Sequence, residues 1–187
     1  MLQGEGVILV PLAPDQAQGW YNGGRTEADW ARLPRGCFVD LADTRQWIDD
    51  ALATPGQLPF AILTRDKSRA VGSTRYLNIR TEHGGLEIGW TWLGAEWQRT
   101  AVNTEAKLLL LQHAFERLGC IRVEFKTDAR NLRSQQALER IGATREGVLR
   151  QHMIVQGGFR RDSVYYSIID SEWAAVQRRL LTLLGRC

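Results

Sequence analysis

The residues best suited to chemistry in this chain lie at two places where a strand-like run passes into a helix-like one. The first is Gly94, Ala95, Glu96, Trp97, Gln98, Arg99, Thr100, Ala101, Val102 and Asn103, between a strand ending at Leu93 and a helix that the periodicity starts at Thr104. A helix start leaves backbone N–H groups without intrahelical partners at its positive pole, so such a junction suits an anion, typically a phosphate. Arg99 and Lys107 add charge of the right sign. Asn103 or Thr104 also reads as an ordinary N-cap. The second junction is Asp128, Ala129, Arg130, Asn131, Leu132, Arg133 and Ser134. Asn131 offers both a donor and an acceptor to an amide-bearing ligand arm, and it equally reads as a cap with Ser134 satisfying the first turn. Glu87 alternates with the small residues Gly89 and Thr91, which leaves room for a substrate beside its carboxylate. It reads either as a general base or as a strand carboxylate paired with a Lys or Arg.

The elements that must position these residues follow from periodicity. Strands are expected at Val7 to Leu12, Phe60 to Thr64, Ala70 to Leu77, Leu86 to Leu93, Ile121 to Asp128, Gly147 to Val155 and Asp162 to Ile169, with turns at Arg65 to Ser68, Thr81 to Gly85 and Gln156 to Gly158. Helical spacing appears around Pro14 to Trp20, after Asp43 or Thr44, over Thr104 to Leu118, from Asn131 to Gly142 and over Ser171 to Leu184. In the third of these, Leu108, Leu111, Phe115 and Leu118 form one apolar stripe, and His113 reads as a core histidine. The result is one domain over residues 1–187, mixed α/β with a largely antiparallel sheet. If the strands ending at Leu93 and Asp128 lie side by side and part near Trp92 and Phe125, a long thin ligand fits between them.

Composition excludes several classes. With 24 basic and 21 acidic residues mixed along the chain, the net charge of +3 gives no nucleic-acid footprint. No run of about 18 apolar residues marks a membrane span, and Met1 to Leu12 lacks the basic leader of a signal peptide. Cys37, Cys120 and Cys187 are too scattered for a metal site or a disulfide framework, so a reducing, cytoplasmic setting is expected.

The run from Glu87 to Ile169 resembles the RimJ/RimL-type branch of the GNAT N-acetyltransferases. Glu87, Ile88 and Gly89 match its EIG strand, Gln98 to Asn103 its Q/R-x-x-G-x-G/A loop, and Thr104, Glu105 and Ala106 its T-E-A helix start. Asn131, Arg133, Ser134, Ala137, Leu138, Ile141 and Gly142 match N-x-R-S-x-x-A-L-x-x-x-G, and Arg161, Asp162, Tyr166, Ser167 and Ile168 match R-D-x-x-x-Y-S-I. The resemblance implies a GNAT fold with a seven-stranded sheet, splayed central strands and helices on both faces. It implies acetyl-CoA as cosubstrate, held by Trp92, Leu93, Gln98, Arg99, Thr100, Ala101, Val102, Asn103, Thr104, Asn131 and Ser134, and no metal. A backbone N–H near Trp92 or Leu93 would hold the developing oxyanion. Glu87 becomes the candidate base and Ser134 the candidate acid, since the tyrosine many members carry in the helix after the asparagine is missing. Tyr166 reads as core, and His152 with Arg150 as bordering the acceptor. The acceptor expected is a small-molecule amine or a peptide or protein N-terminus. The stretch Trp20 to Trp30 and the Trp47 helix are expected to shape its site, and the apolar last helix leaves room for a homodimer. Ala101 and Asn103 depart from the family's glycines. With the missing tyrosine, that keeps a non-catalytic acyl-CoA-binding or regulatory module as the alternative.

Overall fold

The computed structural model describes residues 1–23, 27–30, 33, 35–67 and 69–186. Cys187, Ser68 of the expected turn and residues 24–26 of the Trp20 to Trp30 stretch lie outside them. The strands are β1 (Leu2–Gln3), β2 (Val7–Pro11), β3 (Leu58–Thr64), β4 (Ala70–Arg80), β5 (Gly85–Leu93), β6 (Arg122–Asp128), β7 (Thr144–Val155) and β8 (Phe159–Ile169). They form one eight-stranded sheet in the order β1-β2-β3-β4-β5-β6-β8-β7. The expected strand count is therefore corrected from seven to eight: Leu2 and Gln3 pair with Leu9 and Ile8, a hairpin too short to register as alternation. Every pairing is antiparallel except that of β5 with β6.

The helices are α1 (Ala17–Gly23), α2 (Glu27–Trp30), α3 (Leu41–Ala53), α4 (Ala101–Gln112), α5 (Leu132–Ile141) and α6 (Trp173–Leu183). Helix α3 starts ahead of the expected Asp43 because the Asp40 carboxylate accepts from the Asp43 N–H at 2.7 Å. Helix α5 runs from Asn131 as cap to Gly142 at φ 97°, the left-handed closure that glycine adopts without strain. Helix α4 begins a turn earlier than expected, at Ala101 behind Thr100, and ends in a π-turn over His113–Arg117. The π-turn inserts a residue into the 3.6 period, so Leu118 rotates off the buried stripe and is 51% exposed. His113 is correspondingly half-buried, stacked against Tyr76.

Two apolar clusters sit on opposite faces of the sheet. One joins α4, α5 and α6 to it through Leu86, Ile88, Leu110, Leu111, Val123, Phe125, Leu138, Ile141, Tyr166 and Leu180. The other packs Trp20, Trp30, Phe38, Trp47 and Trp92 beneath α1 to α3. Trp92 stacks on Trp30 at 5.4 Å between ring centroids, which ties β5 into the aromatic cluster.

Candidate active site

Strands β5 and β6 pair only at Gly85 with Arg122, Leu86 with Val123 and Glu87 with Glu124. Beyond Glu87 and Glu124 they part, on β6 at the expected Phe125 and on β5 ahead of the expected Trp92. On its other side β5 breaks register with β4 between Gly89 and Trp92, where Trp90 adopts φ 49°. A side chain at positive φ marks a bulge, which re-aims the backbone on the strand facing the gap. From Trp90 to Leu93 the edge of β5 turned toward β6 therefore has no strand partner. The opening is a cleft of about 300 Å³.

The start of α4 closes one end of the cleft. Thr100 Oγ1 accepts from the Val102 N–H at 3.3 Å, and the first-turn N–H groups of the helix have no upstream helical carbonyl. Arg99, at φ 60°, and Asn103 line the cleft beside them. Thr100 and Ala101 are exposed next to it, whereas the side chains of Val102 and Thr104 are buried. The expected loop through Asn103 with a helix start at Thr104 is corrected here, because Thr100 takes the cap and moves the positive pole upstream. Thr104 Oγ1 instead accepts from Arg140 at 2.9 Å, and its neighbour Glu105 accepts from the N–H groups of Glu5 and Gly6.

Across the gap, Asn131 and Ser134 line the cleft at the start of α5. Asn131 Oδ1 caps the helix by accepting from the Ser134 N–H at 3.1 Å, leaving its amide N–H groups for the cleft. Arg133 donates to Gln98 Oε1 while Gln98 Nε2 donates to the Leu93 carbonyl at 3.0 Å, so one chain of side chains links the two helix starts. Trp92 and Leu93 form part of the wall. Of the aromatic cluster, Trp20, Trp30 and Trp47 form a floor beneath that wall and do not reach the cleft.

Glu87 lies where the strands begin to part, 3% exposed, with its carboxylate accepting from Asn78 Nδ2 at 2.7 Å and lying 3.5 Å from Lys126 Nζ. His152 stands nearby, its Nδ1 3.1 Å from Ser163 Oγ, and is held below its ordinary pKa by burial and then by the Lys126 and Arg161 cations. Tyr166 is buried and donates to Glu139 at 2.8 Å, which commits it to the core.

Lys107 is a feature that the sequence reading placed differently, as added charge for the loop. It is 6% exposed, reaches the bottom of the gap and donates to Thr91 Oγ1 at 3.0 Å with its ammonium over the Phe125 ring. Burial without a carboxylate pushes its pKa down to about 7. The signal was a lysine between Ala106 and the Leu108–Leu111 run, four residues before Leu111 on the apolar stripe.

The model of the acetyltransferase (GNAT) domain matches residues 7–144. A GCN5-related N-acetyltransferase from Brucella melitensis superposes with a TM-score of 0.93 at 29% identity, covering 98% of this chain and 84% of its own. A protein from T. thermophilus assigned to the acetyltransferases gives 0.90 at 38% identity over 98% and 96% of the two chains. One from Chromobacterium violaceum, assigned to the GNAT family, gives 0.86 at 33% over 92% and 87%. No curated protein matches the sequence.

Proposed function

This chain belongs to the GNAT acetyltransferase family, and from that premise we propose that it transfers an acetyl group from acetyl-CoA to a primary amine that enters beside Glu87. The observation that carries the proposal is the parting of β5 from β6 immediately after Glu87, with the α4 start at one end of the gap. The residues present fit the group: helix-start N–H donors, Arg99 and Arg133 suit a diphosphate, and the short side chains of Gly89, Thr91 and Ala137 leave width for a thin arm. Bound there, the thioester supplies the acetyl group.

The chain's own residues then position and move a proton. The unpaired edge of β5 near Trp92 and Leu93 offers N–H groups to a developing negative oxygen. Asn131 orients the arm through its amide. Glu87 accepts the acceptor's proton through water, a role supported by its buried carboxylate being fixed by Asn78 and Lys126. Ser134 is the hydroxyl at the α5 start that returns a proton to the leaving thiolate. The acceptor is a small-molecule amine or a peptide or protein N-terminus, and a cytoplasmic setting suits such an acceptor and the cosubstrate.

Thiol release from acetyl-CoA over a panel of amines and N-terminal peptides tests this. Amine-dependent release is expected. Acetyl-CoA binding without release with any amine would mark a non-catalytic acyl-CoA-binding module instead.

A further inference from the structure

We infer that the acceptor carries a carboxylate close to its amine, and that Arg161 of β8 binds it. The inference rests on the acetyl-transfer reading and names the substrate class of that same cleft.

Among the described residues, six arginines pair with carboxylates, and most of the others are exposed to solvent. Arg35 pairs with Asp43, Arg122 with Glu146, Arg130 with Asp128 and Arg186 with Glu105. Two arginines are only 5% exposed, Arg75 and Arg161, and among the described residues neither has a carboxylate within 4.0 Å. Arg75 is enclosed between the rings of Trp47 and Trp90, donates to Gln57 and does not line the cleft. Arg161 lines it. Its Nε donates to Ser163 Oγ at 3.2 Å, which fixes the guanidinium plane, and its Nη1 and Nη2 make no hydrogen bond among the described residues.

Two donors at the end of a fixed planar fork match the two oxygens of a carboxylate, and Arg is suited to such bidentate recognition where Lys is not. Leaving a buried guanidinium without an anion is costly. Burial holds Arg161 below its ordinary pKa, and the Asp128 and Glu87 carboxylates, both beyond 4.0 Å, oppose that shift only in part. The charge around it has the same sense. On the face that carries Glu87, Lys126 is matched by Glu87 and Arg130 by Asp128, so Arg161 leaves a surplus of positive charge that an anionic acceptor neutralises. A polyamine would add cations to that surplus.

Thiol release from acetyl-CoA is followed over the standard amino acids, their carboxamides, and amidated dipeptides with Asp or Glu in second place. A carboxylate-bearing acceptor is expected to react with kcat/KM about tenfold or more above its neutral counterpart, the scale of one charge-assisted hydrogen-bond pair. Arg161→Gln is expected to bring that ratio close to one with KM for acetyl-CoA unchanged. Free amino acids as the preferred set identify a main-chain carboxylate, and the amidated dipeptides an acidic side chain. Equal rates for acids and amides, a preference for polyamines, or a preference that persists in Arg161→Gln overturns the inference. If no acceptor releases thiol, calorimetric titration of the same acids and amides with CoA present still decides it. Selective binding of acids that Arg161→Gln abolishes upholds the anion site while the transfer reading fails, and absent or unselective binding overturns both.

Discussion

Glu87 and Lys107 enter the gap from opposite faces of the sheet, one meeting Lys126 and the other the Phe125 ring, and each makes a prediction at the scale of a single group. Glu87→Gln keeps the shape and the Asn78 contact but removes proton acceptance. Turnover at neutral pH is expected to fall by about two orders of magnitude or more, with the pH optimum moving up and KM for acetyl-CoA unchanged. Steady-state kinetics across pH check this, and a variant as active as its parent removes Glu87 from the mechanism. For Lys107 the folded pKa of about 7 lies below the ordinary 10.5. Between those values the unfolded chain binds a proton that the folded chain does not, so stability rises with pH across that window. Below about 7 both states are protonated and the burial penalty is complete. Lys107→Met is therefore expected to be more stable than the parent at pH 6. That advantage should shrink by roughly 1 kcal/mol per pH unit above 7. Denaturant melts at pH 6, 8 and 10 measure it, and a difference independent of pH would show that Lys107 is not buried as a cation. The sequence displayed Glu87 as a candidate because its neighbours alternate with small residues. It did not display Lys107 as part of the gap, since a lysine's depth depends on which turn of α4 faces the sheet.

At the scale of elements, the start of α4 is where reading and structure diverged most. Thr104 looked like a helix start because Thr-Glu-Ala stands just ahead of Lys107 and the leucine run from Leu108 to Leu111. Thr100 captures the cap instead, since its hydroxyl meets the Val102 N–H and Ala101, the strongest helix former, takes the first helical position. Thr100→Ala is expected to lower stability by about 1 kcal/mol and to weaken acetyl-CoA binding several-fold, because the frayed turn carries the proposed phosphate donors. Thermal melts and acetyl-CoA titration check the two halves separately. Unweakened binding would show that the diphosphate does not rest on that turn. Asn103 now sits in the first turn and lines the cleft, so Asn103→Gly removes a side chain from the site at a cost of a few tenths of a kcal/mol in helix propensity. Tighter acetyl-CoA binding in that variant would identify the side chain as an obstruction. By contrast α5 was legible from end to end, because Asn131 and Gly142 are strong local stop signals that tertiary contacts did not need to override.

At the scale of the whole molecule, Glu105 joins segments far apart in sequence. Its buried carboxylate accepts from the N–H groups of Glu5 at 2.6 Å and Gly6 at 3.0 Å, and from Arg186 at 2.8 Å. A side chain on Gly4 would collide with that carboxylate, so the N-terminal hairpin closes around it. Glu105→Ala leaves the Glu5 and Gly6 amides without their acceptor and Arg186 with Glu5 alone, and is expected to cost about 3 kcal/mol, read as a lower denaturant midpoint. A loss under about 1 kcal/mol would show that solvent replaces the carboxylate there. The sequence alone determined the order and type of the elements other than the short β1 and α2, most of the buried faces and the two strand-to-helix junctions, because periodicity and capping act over a few neighbouring residues. Only the tertiary structure decided that β5 and β6 separate after Glu87, that Lys107 joins Arg99 in lining the gap, and that Arg161 is buried there with no carboxylate of the described residues within 4.0 Å. Those facts depend on which strands become neighbours, and pairing between distant segments leaves no local mark on either one.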